Sequence, residues 1–375
     1  MLERTILDYN GLEVKLTDHA DKGILDILEH TVRGSEGGLR FSSGNIGERI
    51  KGYGNKVRFL SLYRKNKITG TAGACFRVSG LGKLRYPSTY VKYLAFLSIY
   101  QTEVSRRKRN MPIIRHDEHD SFKQKTLELF SKPYVLDLPD VKEEDKHILY
   151  AFIESNNERS KNIVHQAGFE YIRSFLTLAF SRLNPKKDEK VELLPESDRD
   201  VMKHLLREQY KGYSFYTDSY VFMEHNYYVL KENNEIMAGV WAMPTTYKIY
   251  DIPGVWGWVI RKFLPILPYF RRLFPSNELK CLVFDAVFCK KGNEEKLSTL
   301  FESVLAKEGF FTGLMWLDDH GDLYETIRTK VKMGPFDRML NAKPGLVYGK
   351  FVNLTDQEKE MFYDAPAYIS GYDFS

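Results

Sequence analysis

The chain has 375 residues, of which 43% are hydrophobic and 28% charged. That describes an ordinary soluble globular protein, long enough for two domains of roughly 185 residues. A net charge of +5 is too small to argue for a nucleic-acid partner. Cys75, Cys281 and Cys289 are too few and too scattered for a disulfide framework, so a reducing, cytoplasmic location is expected. The first residues, MLERTILDYNGLEV, contain no apolar core with a cleavage site, and no signal peptide is expected.

In chain order, Leu12–Leu16 reads as a strand, and Thr17-Asp18 as the cap of a helix over His19–His30 with Ile24, Leu25, Ile27 and Leu28 on its apolar side. Gly34-Ser35-Glu36-Gly37-Gly38 is a loop. Val57–Tyr63 and Thr71–Val78 are strands joined through the polar step Arg64-Lys65-Asn66-Lys67. Tyr90–Tyr100 is an apolar strand, and a helix follows at Phe122–Phe130. Ile148–Leu183 then runs as an apolar strand ending in Glu154-Ser155, a helix over Asn156–Ala167, the pair Gly168-Phe169 and a β-rich run. A charged, proline-bounded linker occupies residues 184–196.

The order then recurs. Tyr228-Val229-Leu230, a polar turn at Lys231–Asn234 and Glu235–Gly239 repeat the first strand–turn–strand unit. Leu279–Phe288 repeats the apolar strand. The helix Glu294–Ala306 carries Leu297, Leu300, Phe301 and Val304 at helical spacing. An apolar strand ending in Asp318-Asp319, a helix, and Gly334-Pro335-Phe336 close the second copy. A repeat this long implies two similar domains, 1–187 and 188–375, rather than a solenoid.

The stretch from Asn157 through Gly168-Phe169 resembles the C-terminal part of the GCN5-related N-acetyltransferase family, whose pattern there is N-x-x-A-x-x-x-Y-x-x-x-G-F. Asn157 fits the Asn, Ser160 the small residue and Gly168-Phe169 the final pair, while Val164 falls at the Tyr position. The resemblance implies an α/β (α+β) fold of two tandem acetyltransferase-like domains, each a twisted, mixed, mostly antiparallel sheet flanked by helices. It further implies an acyl-CoA-dependent N-acyltransferase, with acetyl transfer to a primary amine on a small molecule or peptide, and it allows one half to be degenerate. The alternative is a non-catalytic ligand- or protein-binding relative.

Such transfer needs the cofactor's pyrophosphate held, the thioester positioned and a proton removed from the amine. In the resembled family the pyrophosphate sits on a glycine-rich loop after the fourth strand, at a helix N-terminus. In the first half that loop has no glycine and offers Arg106, Arg107, Lys108 and Arg109 instead; the other reading is a solvated loop. In the second half it is Cys289-Lys290-Lys291-Gly292-Asn293, read either as a cofactor cradle or as an ordinary strand–helix turn. Asn157 joins the cofactor candidates through the family pattern. Glu154 and Asp285 are candidate bases, and Tyr324 is the nearest tyrosine to the family's proton donor, though out of register. Asp318 and Asp319 are read first as caps of the helix that follows them. Cys289 has no His or Asp nearby to make it a nucleophile. His116-Asp117-Glu118-His119-Asp120 reads as a polar helix start rather than a metal site, and no metal is expected. An insertion at 250–276, rich in aromatics and bases at 252–275, contains Pro265 and Pro268, so a protein-facing lid or wedge is favoured over membrane contact.

Overall fold

A computed structural model describes residues 2–9, 11–34, 40–44, 46–97, 122–138, 141–223, 226–251, 278–340 and 343–374. The chain builds one continuous mixed sheet rather than two separate ones. The strands of the first half are β1 (Glu3–Tyr9), β2 (Leu12–Thr17), β3 (Arg40–Ser43), β4 (Val57–Arg64), β5 (Lys67–Leu81), β6 (Leu84–Phe96), β7 (His147–Glu154) and β8 (Glu170–Ser181). Those of the second are β9 (Val191–Leu193), β10 (Asn226–Glu232), β11 (Glu235–Asp251), β12 (Glu278–Cys289), β13 (Thr312–Asp318) and β14 (Gly345–Val352). Their order across the sheet is β1-β2-β4-β5-β6-β7-β14-β8-β13-β12-β11-β10-β9, with β3 pairing β11 off this path.

Local chemistry accounts for the hairpins. Lys65 and Asn66 turn β4 into β5 with φ of 49° and 60°, and Asn233 and Asn234 turn β10 into β11 with 51° and 63°. Two successive positive φ values match the right-handed strand twist, and Asn tolerates them. The helices Glu158–Gln166 and Lys296–Glu308 lie between β7 and β8 and between β12 and β13. The first is capped by Asn157, whose side chain accepts from Ser160 N at 3.0 Å. The second buries Leu297, Leu300, Phe301 and Val304, as the spacing predicts, and ends on Gly309 at φ 75°.

Two expectations are corrected. The helix near the N-terminus runs Lys22–Glu29 and is capped by Asp21, whose Oδ1 accepts from Ile24 N at 2.7 Å, while Thr17 ends β2. Asp318 and Asp319 do not cap the helix that follows them. That helix, Asp322–Lys330, starts on Gly321. Asp318 instead accepts from Arg173 Nε at 3.0 Å and Ala367 N at 2.7 Å, and Asp319 from Ser174 Oγ.

The topology exchanges strands between the halves. β14, from the second half, inserts between β7 and β8, and among the described residues β8 pairs only with β14 and β13. The helix Asp356–Asp364 then buries Phe362, and the residues after it place Tyr368 and Tyr372 in the main core. Among the described residues no helix is long and apolar enough to cross a membrane.

Candidate functional site

Each half contains one place where two parallel strands part. β6 and β7 pair only over Ser88–Tyr90 and Ile148–Tyr150. Beyond that, β6 stays with β5 and β7 stays with β14, leaving a wedge. β12 and β13 pair only at Leu282–Val283 with Gly313–Leu314, then diverge toward β11 and β8. Both wedges are followed by a bulge at the same position. Lys92 opposes Gly73 and Ala95 opposes Thr71, with Tyr93 at φ 59°. Asp285 opposes Trp241 and Phe288 opposes Gly239, with Ala286 at φ 45°. Lys92 and Asp285 are thus structural counterparts, each two residues past the last parallel pair.

The second wedge is filled. Asp285, 4% exposed, accepts from Tyr368 Oη at 2.6 Å, Ser370 Oγ at 2.9 Å, Tyr372 N at 3.2 Å and Ala286 N at 2.6 Å. Burial raises its pKa and these donors pull it back down, the net direction being upward. The space left beside it is about 20 Å³, room for little more than one water.

The first wedge is open. It leads into a cavity of about 420 Å³ whose walls include Tyr90 and Phe152 from the first half, Trp316 and Tyr247 from the second, and Phe374 from the C-terminal segment. Phe374 stacks on Trp316 with ring centroids 4.4 Å apart and on Phe152 at 5.6 Å, and its carbonyl accepts from Tyr247 Oη at 2.7 Å. Beside it Asp373 forms a bidentate pair with Arg77, at 2.7 and 3.0 Å, both side chains fully buried. The guanidinium also lies over the rings of Tyr220 and Tyr90, at 5.0 and 5.1 Å.

The structure distributes the residues singled out in the sequence over both wedges. Glu154 and Asn157 lie together on the wall of the open cavity. Asp285 and Tyr324 line the small remnant in the second wedge, where Tyr324 packs on the core under Arg328. Lys290, Lys291, Gly292 and Asn293 form the turn after β12. Lys290 Nζ pairs with Glu235, Asn293 N donates to Lys290 O at 3.0 Å, and Gly292 N donates to Glu294 Oε1 at 2.8 Å. The amide a phosphate would need is already engaged. Gly292 sits at φ +84°, and a Cβ added there would meet nothing within 4 Å. Gly292→Ala is therefore expected to lower stability by about 1 kcal/mol through backbone strain alone, read by thermal denaturation. Cys289 is half-buried, and burial pushes its thiol up to about 12. Arg106, Arg107, Lys108, Arg109, His116–Asp120 and the segment 252–275 lie outside the described residues.

Sequence reasoning missed Lys92, Tyr93, Arg77 and Asp373. The one signal was a lysine inside the apolar run Tyr90–Phe96. Lys92 is 8% exposed, lines the open cavity, and its Nζ finds no hydrogen-bond partner among the described residues. The Tyr93 hydroxyl is likewise buried and unpartnered among them.

No protein-family model and no curated protein matches this sequence. Among solved structures, the chain is similar to N-myristoyltransferase from Saccharomyces cerevisiae with bound myristoyl-CoA. The match has a TM-score of 0.55 and 10% identity, over 94% of this chain and 87% of the yeast one. A second structure of the yeast enzyme, with myristoyl-CoA and inhibitors, gives 0.54 and 9% identity, over 93% and 82%. A GCN5-related N-acetyltransferase from Anabaena variabilis gives 0.45 and 13%, over 90% and 72%. Across almost its whole length this chain therefore has the fold of the yeast N-myristoyltransferase.

Proposed function

We propose that the protein is an acyl-CoA-dependent N-acyltransferase that works in the wedge between β6 and β7. The observation that carries this reading is the contrast between the two wedges: one opens into a cavity of about 420 Å³, and the other is closed by the C-terminal segment. The cofactor brings an activated thioester. The amine attacks its carbonyl carbon, a C–N bond forms, the C–S bond breaks, the thiolate leaves with CoA and the amine loses a proton. The chain's part is to orient the two substrates and exclude water.

Past Tyr90 the edge of β6 that faces the wedge is no longer paired with β7, so main-chain N–H groups there are placed to polarise the thioester carbonyl. Glu154, at the end of β7 on the cavity wall, is proposed as the base that takes the amine proton, with Asn157 on the same wall at the start of a helix. A cavity of this size with aromatic walls suits an acyl group or acceptor with an apolar body, and acetyl-CoA is the shortest donor to test.

The test is mass-spectrometric detection of released CoA and N-acyl product with donors from acetyl-CoA to myristoyl-CoA and a panel of primary amines. A donor at a hundred times its Kd raises stability by about 2.7 kcal/mol. Glu154→Gln lowers turnover at least ~10-fold with donor affinity retained, and Gly292→Ala leaves that affinity unchanged. Neither stabilisation nor CoA release with any donor would overturn the reading.

A further inference from the structure

The bulge in β6 does something a regular strand cannot. Successive strand residues point to opposite faces, but the positive φ at Tyr93, unusual for a bulky residue, brings Lys92 and Tyr93 to the same side. Lys92 Nζ lies 4.7 Å from the centre of the Tyr93 ring and 5.7 Å from that of Tyr53. Two donors, an ammonium and a hydroxyl, therefore stand at one cavity without an acceptor among the described residues. A buried ammonium in that state is costly.

The neighbouring carboxylate relieves it only in part. Asp373 gives both oxygens to Arg77 and accepts from Tyr53 Oη at 3.4 Å. The other groups that act on Lys92 are Arg33, Arg49 and the buried thiol of Cys75, and burial pushes that thiol up to about 12. The charge left over at this wall is positive.

The second half indicates what the position is for. Its counterpart, Asp285, binds a segment inserted into the wedge, taking two hydroxyls and an amide from it. The first wedge has the same geometry with the polarity reversed: donors on the wall, and an inserted group that must accept.

We propose that the first wedge binds a carboxylate through Lys92 Nζ and Tyr93 Oη, so that the acceptor amine is amino-acid-like, with an apolar or aromatic body against Tyr90, Phe152 and Trp316. Assigning the carboxylate to the acceptor rests on the acyltransfer reading; the carboxylate site itself does not. Arg33 and Lys343 line the same cavity, and the Lys92 ammonium beside the Tyr93 hydroxyl matches the two oxygens of a carboxylate.

The experiment is calorimetric titration of the intact chain with phenylacetate and with phenylethanol, matched in body and differing in the anionic group. Phenylacetate is expected to bind roughly 10- to 100-fold more tightly. Lys92→Met is expected to erase that preference while leaving phenylethanol binding unchanged, and Tyr93→Phe to reduce it. Lys92→Gln serves as a second variant, and the preference is expected to vanish there too. Equal affinities in the unaltered chain, or a preference that survives both Lys92 variants, would overturn the site. Turnover is scored separately, on phenylalanine against phenethylamine. Turnover with no preference for phenylalanine overturns the inference and leaves the acyltransferase reading standing. Selective phenylacetate binding without turnover for any donor does the reverse.

Discussion

Expressed alone, residues 1–187 are expected to give no cooperative unfolding transition, whereas residues 1–187 and 188–375 produced together are expected to assemble into a folded complex. The reason is the strand exchange at the centre of the sheet. β8 carries the buried residues Phe175, Leu178, Ala179 and Phe180, yet both its partners, β13 and β14, come from beyond residue 187. In the isolated first half β8 has no strand to pair with, and β7 loses β14 along all eight of its residues. Unpaired apolar strands of this kind aggregate. The second half fares no better, because among the described residues β14 pairs only with β7 and β8. The buried Asp373–Arg77 pair also spans the two pieces, and removing one partner of such a pair typically costs about 3–5 kcal/mol. A break at Lys187 is tolerated when both pieces are present, since that residue is exposed and lies in the connection between β8 and β9. Circular dichroism melting of each piece and of the mixture decides the matter. A sharp two-state transition in residues 1–187 alone would contradict the exchange.

The features legible in the sequence were those written locally. Asn66 and Asn233-Asn234 announce their turns through the backbone conformations that Asn tolerates. Leu297, Leu300, Phe301 and Val304 announce a helix through spacing, and Gly168-Phe169 ends its helix with a left-handed glycine and a buried ring. The repeat followed from the order of such units. The exchange of β8 and β14 has no local signature, because each strand's partners lie far along the chain. The same holds for Arg77 and Asp373, separated by 296 positions. Asp285 was visible as a carboxylate in an apolar strand, but its donors Tyr368, Ser370 and Tyr372 are set by where the C-terminal segment runs. Lys92 lay in plain view inside Tyr90–Phe96. Its role depends on the bulge at Tyr93, and tyrosine carries no preference for positive φ that would have marked the place.

Replacing Lys92 with methionine is expected to stabilise the unliganded protein, and to do so most at low pH. Burial lowers the Lys92 pKa from 10.5 to about 7, only partly countered by Asp373. Below about 7 the ammonium is charged in both folded and unfolded chains, and the folded chain carries the full desolvation penalty. Between about 7 and 10.5 the unfolded chain binds a proton that the folded one does not, so the unaltered protein gains stability as pH rises through this window. Above it the two states agree and the penalty has gone. Methionine has a similar length and no charge, so Lys92→Met removes the penalty at every pH. Its advantage is on the order of 2–5 kcal/mol near pH 6 and shrinks as pH approaches 10. Denaturant unfolding at both ends of the window measures the difference, and a variant that is less stable throughout, or whose advantage does not change with pH, would refute the assignment of an uncompensated ammonium. The same substitution is expected to remove carboxylate selectivity. A residue that destabilises the empty protein and is relieved by an anionic ligand is one retained for binding rather than for folding.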